Sequence, residues 1–220
     1  MMAVQWPESE IRTITIPPVG LEGLLGVPRD AKGIVLFAHG SGSGRLSPRN
    51  NFVAQALRND GLATLLFDLL TVEEASDRRN VFDIELLARR LLSATAWVRK
   101  DADTRDLAIG YFGASTGAAP MLVATSAHQE PIAAIVSRGG RPDLAGPALP
   151  AVSAPTLLIV GGDDVEVLAL NRAALAKLRC EKQLVIVPGA THLFEEPGTL
   201  EAVVAHARGW FLKHFTESKR

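Results

Sequence analysis

The stretch Leu107-Ala108-Ile109-Gly110-Tyr111-Phe112-Gly113-Ala114-Ser115-Thr116-Gly117-Ala118-Ala119-Pro120-Met121-Leu122 decides the fold. Its first six residues form a short apolar run, as expected of a strand covered on both faces. The small residues from 115 to 128 suit a closely packed helix. Between them lies a Gly-x-Ser-x-Gly pentapeptide, Gly113 to Gly117. That pattern alone is only moderately specific, but a strand before it and a helix after it place Ser115 in a tight strand-to-helix turn. Such a turn strains the serine backbone and crowds its neighbours, which glycines 113 and 117 relieve. It also lifts the hydroxyl above the sheet and points a helix N-terminus at it, which favours developing negative charge. The competing reading is a helix-capping serine in a nucleotide-type loop.

Outward from this turn the chain alternates. Strands are expected at 11–16, 21–27, 34–38, 62–67, 132–136, 156–160 and 183–187. The first alternates apolar and polar residues, whereas 34–38 is a continuous apolar run. Helices are expected from Ser47-Pro48, an N-cap with proline at the first helical position, to Gly61, and then at 81–100, 165–179 and 199–215. Residues 68–80 read as a charged loop, and 138–154, rich in Gly and Pro, carry little helical signal. Strands alternating with helices imply an α/β fold, a mostly parallel sheet of about eight strands with helices on both faces. There is no internal repeat and no insertion long enough for a separate lid domain, so a single domain spanning 1–220 with an open site is expected.

A serine hydroxyl needs a base to take its proton. In a strand-turn-helix arrangement of this kind the acid and histidine follow later strands, in the order Ser, Asp or Glu, His. Gly161-Gly162-Asp163-Asp164 follows one strand, and Pro188-Gly189-Ala190-Thr191-His192 follows the last. Strand C-terminal ends are where open α/β sheets place their sites. The expected catalytic set is Ser115, Asp164 and His192, with Asp163 the rival for the acid. The form Gly-Gly-x-Asp-x-x-Val, read as Gly161, Gly162, Asp164 and Val167, resembles the common form of this loop among α/β-hydrolases, and that resemblance favours Asp164. Two backbone amides must hold the oxyanion. Thr116 supplies one, and Ser41, in His39-Gly40-Ser41-Gly42-Ser43-Gly44, is expected to supply the other, with Gly42 next. This loop lacks both the Gly-Lys-Ser/Thr ending of a P-loop and G-x-G-x-x-G spacing. His39 is expected to fix the loop rather than act as a second base.

Ser137-Arg138-Gly139-Gly140-Arg141-Pro142-Asp143 also follows a strand, so its start should border the site. Arg138 or Arg141 could bind a substrate carboxylate in bidentate fashion. The plainer alternative is an ion pair to Asp143 or to the acidic stretch at 73–77, and the same choice faces Arg45 and Arg49. His128, His206 and His214 are expected at surface or packing positions. No histidine pair has metal-ligand spacing, so neither metal nor cofactor is expected. Cys180 is alone, which rules out an intrachain disulfide.

With 220 residues, 47% hydrophobic and 21% charged, the chain can bury a core without disulfides or metals. A net charge of −1 argues against a phosphate-tracking surface, since nucleic-acid binders usually show a basic face, and leaves room only for local basic patches. The start MMAVQWPESE lacks a signal-peptide pattern, and no apolar run approaches the roughly 20 residues of a membrane span. A cytoplasmic monomer or homodimer is expected, with no nucleic-acid or membrane partner.

The five motifs His39 to Gly44, Gly113 to Gly117, Ser137 to Asp143, Gly161 to Asp164 and Gly189 to His192 together resemble the dienelactone hydrolase-like branch of the α/β-hydrolase superfamily. The resemblance runs from Ile34 to about Phe215. True dienelactone hydrolases use a cysteine nucleophile where this chain has Ser115. The resemblance therefore implies a serine carboxylesterase acting on small or short-acyl esters or lactones, with water as co-substrate. Alternatives on the same triad are a dienelactone hydrolase-type lactonase, a thioesterase or an acyltransferase. The alternative from another class is a catalytically silent small-molecule binding module.

Overall fold

The structure, a computed structural model, describes residues 11–127 and 131–217. His128 lies outside the described residues. One sheet carries the fold. Its strands are β1 (Ile11–Ile16), β2 (Leu21–Gly26), β3 (Ile34–Ala38), β4 (Ala63–Phe67), β5 (Ile109–Ala114), β6 (Ile132–Arg138), β7 (Thr156–Gly161) and β8 (Lys182–Val187). Their spatial order is β1-β2-β4-β3-β5-β6-β7-β8. The pairs β1/β2 and β2/β4 are antiparallel, and every pair from β4/β3 to β7/β8 is parallel. The expected eight-stranded, mostly parallel sheet is therefore present.

The inner parallel strands β3, β4, β5 and β7 are buried along their whole length because both faces of the sheet are covered, whereas the edge strand β8 is largely exposed. Within β3, Ile34, Leu36 and Ala38 pack into one core and Val35 and Phe37 into the other. The first core lies under α4 (Ile84–Val98) and α5 (Ala118–Ala127), which contribute Leu87, Leu91, Met121 and Leu122. The second lies under α1 (Pro48–Asn59) and α7 (Thr199–Glu217), with Val53, Leu57, Phe211 and Phe215. Burying a Leu or Phe side chain of this kind stabilises by roughly 1.5–3 kcal/mol. Helix α1 starts as its sequence requires. Ser47 Oγ accepts the Asn50 N–H, and Pro48 fills the first turn, where a missing N–H costs nothing.

Several boundaries differ from expectation, among them β6, which runs to Arg138 rather than residue 136, and α4, which starts at Ile84 rather than 81. Strand β5 runs to Ala114 rather than ending at residue 112, because Gly113 pairs with Ala38 and Ala114 with Arg138. Residues 68–80 are not simply loop. They include α2 (Val72–Ser76) and α3 (Arg78–Val81). Helix α2 opens on a capping box in which Thr71 Oγ1 accepts the Glu74 N–H and Glu74 accepts the Thr71 N–H. Residues Pro142–Ala151 form a 3-10 helix kinked at Gly146, packed between α5 and α6 (Val165–Lys177). No described segment forms a separate lid. Among the described residues no helix is long and apolar enough to cross a membrane.

Candidate active site

Ser115 follows β5 directly and opens a single 3-10 turn, Ser115–Gly117, which runs into α5. Its φ is +52°, in the left-handed region that a non-glycine residue enters at a cost of roughly 1–3 kcal/mol. The surroundings enforce that conformation. The Arg141 N–H donates to the Ser115 carbonyl at 3.0 Å, and buried Asn171 donates through Nδ2 to the Gly140 carbonyl at 2.9 Å. The segment after β6 is thus pinned to α6 and buttresses the turn.

Gly117 is required by close approach. A Cβ there would lie 2.2 Å from the Ala38 carbonyl oxygen and 2.6 Å from that of His39. Both obstacles are backbone and cannot swing aside. Gly117→Ala is expected to destabilise the protein by about 1–3 kcal/mol and to push the turn off β3. Urea unfolding checks this, and a change within about 0.5 kcal/mol would contradict it.

The histidine and acid loops are stitched to each other. Gly162 N–H donates to the Val187 carbonyl at 2.8 Å, and Asp163 N–H to that of Ala190 at 3.0 Å. These bonds bring Asp164 at the start of α6 beside His192. His192 Nδ1 lies 2.7 Å from Asp164 Oδ2, and His192 Nε2 lies 3.3 Å from Ser115 Oγ. The Asp164 side chain is 14% exposed, and Asp163 turns out to solvent. With the carboxylate accepting from Nδ1–H, Nε2 is left as an acceptor facing the hydroxyl.

His39 is built into the wall. Its Nε2 accepts the Leu69 N–H at 3.0 Å, so Nδ1 carries the proton and donates to the Gly40 carbonyl, also at 3.0 Å. Burial lowers its pKa, against smaller opposing effects of Gly40 and Asp68. Both ring nitrogens are occupied, so His39 ties the Gly40 loop to the end of β4.

The Ser41 amide, expected as the second oxyanion donor, already has a partner. It donates to Thr116 Oγ1 at 2.8 Å. The side chain after Ser115 crosses to the glycine loop and takes this N–H. The Thr116 amide lies in the first helical turn, where N–H groups have no intrahelical acceptor. The Gly42 amide has no acceptor among the described residues.

The arginines divide. Arg141 Nε and Nη2 each donate to Asp143 at 2.8 Å, so its guanidinium is spent on an internal pair and is no open carboxylate receptor. Arg45 pairs with Asp68 and Glu22, and Arg49 Nη1 with Glu195 at 2.9 Å. Arg138 alone of these four has no such pair and lines a cavity of about 590 Å³ with Ser115, His192 and Arg49. His206 is exposed and His214 buried, both on α7 away from the site. Cys180 is half-buried, 3.7 Å from Thr156 Oγ1 at the opposite strand ends. No group of three His, Cys, Asp or Glu side chains with metal-binding geometry occurs among the described residues.

Sequence reasoning missed the Ser41–Thr116 bond, the Asn171 anchor and the Phe194 ring, whose centre lies 5.9 Å from Arg138 Cζ. All are contacts between distant segments, with no local signature.

The eight-stranded sheet, the turn at Ser115 and the loops after β7 and β8 define an α/β-hydrolase fold. Dienelactone hydrolase from Anabaena variabilis is 53% identical and superposes with a TM-score of 0.91, covering 94% of this chain and 99% of that one. The chain therefore belongs to the dienelactone hydrolase family of α/β-hydrolases. An α/β serine hydrolase without lid from Xanthomonas campestris shares the fold at a TM-score of 0.70 and 23% identity, with 97% of this chain and 96% of that one covered. A Mycobacterium tuberculosis protein provisionally named a phosphoribosyl transferase is 59% identical over 197 residues, 90% of this chain. The chain spans only 44% of that protein's length. No family model matches the chain.

Proposed function

We propose that this protein is a serine carboxylesterase cleaving small or short-acyl esters or lactones through an acyl-enzyme intermediate. The observation that carries the reading is the continuous line from Ser115 Oγ through the His192 ring to Asp164, at 3.3 and 2.7 Å. Lactones are included because the Anabaena relative is named a dienelactone hydrolase.

In this reading His192 Nε2 takes the Ser115 proton as Oγ attacks the carbonyl carbon. Asp164 stays ionised, holds the ring in one tautomer and stabilises the imidazolium. The Thr116 amide holds the oxyanion. The Ser41 amide exchanges Thr116 Oγ1 for the substrate oxygen, so the threonine hydroxyl keeps that donor oriented until substrate arrives. One such donor is worth on the order of 10²–10³ in rate. Collapse of the tetrahedral intermediate expels the alkoxide, which takes the proton from His192. Water then attacks the acyl-Ser115 ester, giving its proton to His192, and the second collapse returns that proton to Ser115 Oγ. The 3.3 Å separation suits a substrate-free site, whose hydrogen bonds tighten when substrate binds.

The test is hydrolysis of p-nitrophenyl acetate, butyrate and palmitate, with lactones and thioesters alongside. Saturable turnover of the short esters, in preference to palmitate, is expected. No turnover above the buffer rate with any of them would overturn the reading in favour of a silent binding module.

A further inference from the structure

We propose that Asn171 is a positioning residue for the oxyanion site, acting on the Thr116 N–H through two peptide units joined end to end. The proposal rests on the esterase reading above and names a residue that sets the strength of its oxyanion donor.

A peptide unit carries the carbonyl of one residue and the N–H of the next, and in a trans unit the two point in opposite directions. Asn171 Nδ2 donates to the Gly140 carbonyl at 2.9 Å. The same unit presents the Arg141 N–H, which donates to the Ser115 carbonyl at 3.0 Å. The Ser115 carbonyl in turn shares its unit with the Thr116 N–H. One directed chain therefore runs from the Asn171 amide to the donor that holds the oxyanion. Each donation to a carbonyl draws electron density from the N–H at the far end of that unit, so the bonds strengthen one another. The dipoles of the two units add with their positive ends toward the oxyanion, as at a helix N-terminus.

The start of the chain is fixed. Asn171 is 0% exposed and lies on α6, the helix that Asp164 opens. Its Nδ2 also donates to the Val167 carbonyl at 2.8 Å. Two carbonyls facing the side-chain amide both demand a donor, which decides which way it points. The first peptide unit is held close to α5, since a Cβ on Gly140 would lie 2.6 Å from Ala118 Cβ. Its orientation is another matter. Gly139 and Gly140 precede it, and glycines leave the backbone free to rotate. Asn171 supplies the restraint that the backbone lacks.

Net hydrogen bonding does not explain the asparagine. Its Oδ1 is buried with no hydrogen-bond partner among the described residues. Leucine at this position would remove that oxygen and take the Asn171 donor from the Gly140 oxygen instead, so a buried acceptor goes short either way. What the asparagine adds is direction.

The test is Asn171→Leu. Its kcat for phenyl butyrate is expected to fall about tenfold, a fraction of the roughly 10²–10³ lost with a whole oxyanion donor, while KM stays within about twofold. Affinity for propyl trifluoromethyl ketone, which takes up Ser115 Oγ to form a tetrahedral oxyanion, should fall by the same factor. Affinity for butyranilide, a planar amide that resists cleavage, should stay within about twofold. A merely structural anchor would weaken both ligands alike, and that result would overturn the proposal. Asn171→Ser, smaller and too short to reach Gly140, takes the same readouts with the same expected directions if the leucine variant does not fold. Nuclear magnetic resonance reads the chain without chemistry. The Arg141 and Thr116 amide protons should move upfield in either variant. That shift in a protein that cleaves no ester would support the relay and sink only the esterase reading. Ser115-dependent cleavage of phenyl butyrate, with kcat and the Thr116 amide proton unchanged in the variants, would overturn the relay alone.

Discussion

Ser115→Ala is expected to lower kcat for p-nitrophenyl acetate by at least about 10⁴-fold with the fold intact. The loss is large because no other group stands in the nucleophile's place. Ser115 has the sole side-chain hydroxyl in contact with His192 Nε2 among the described residues. Alanine leaves the turn unchanged in shape. It inherits the +52° φ, so it gains nothing from relieved strain, and it keeps the Arg141 N–H bond to the carbonyl of residue 115. Stability by urea unfolding should stay within about 0.5 kcal/mol of the parent. A variant that kept a tenth of the parent rate would mean that the nucleophile is elsewhere or that water is activated directly.

Asp164→Asn is expected to cost about 10⁴ in kcat, while Asp163→Asn stays within about threefold of the parent. The introduced side-chain amide would offer an N–H to His192 Nδ1 where the Asp164 carboxylate now accepts one at 2.7 Å. The ring would answer by moving its proton to Nε2, which could then no longer accept from Ser115. The charge that stabilises the imidazolium would also be lost. Asp163 is exposed, and only its backbone is engaged, with Ala190. Equal losses in the two variants would contradict the assignment.

This pair of aspartates marks the limit of what the sequence carried. The alternation of apolar runs and amphipathic stretches gave the parallel sheet, and the motifs after 113, 161 and 188 gave the strand ends at which site residues gather. Two neighbouring aspartates differ by where each side chain points, which the backbone bonds between the β7 and β8 loops decide. The β5 boundary slipped by two residues because Gly113 and Ala114 are weak strand formers alone and are held by pairing with Ala38 and Arg138. The capping box at Thr71 and Glu74 was legible and marks α2, although the charged composition around it reads as loop. The Arg141–Asp143 pair was foreseeable from spacing. The Ser41–Thr116 bond joins residues 75 positions apart and had no local signal. Nor did the isolation of Arg138, since the absence of a partner is a property of packing and not of any motif.

The central claim is that Ser115 is an activated nucleophile. Reaction of the folded protein with a fluorophosphonate, followed by peptide mass mapping, tests it most directly. The account predicts a single phosphonyl adduct on Ser115, lost on unfolding before treatment and lost in His192→Ala. No adduct on the folded protein, or an adduct on another residue with Ser115 unmodified, would contradict it.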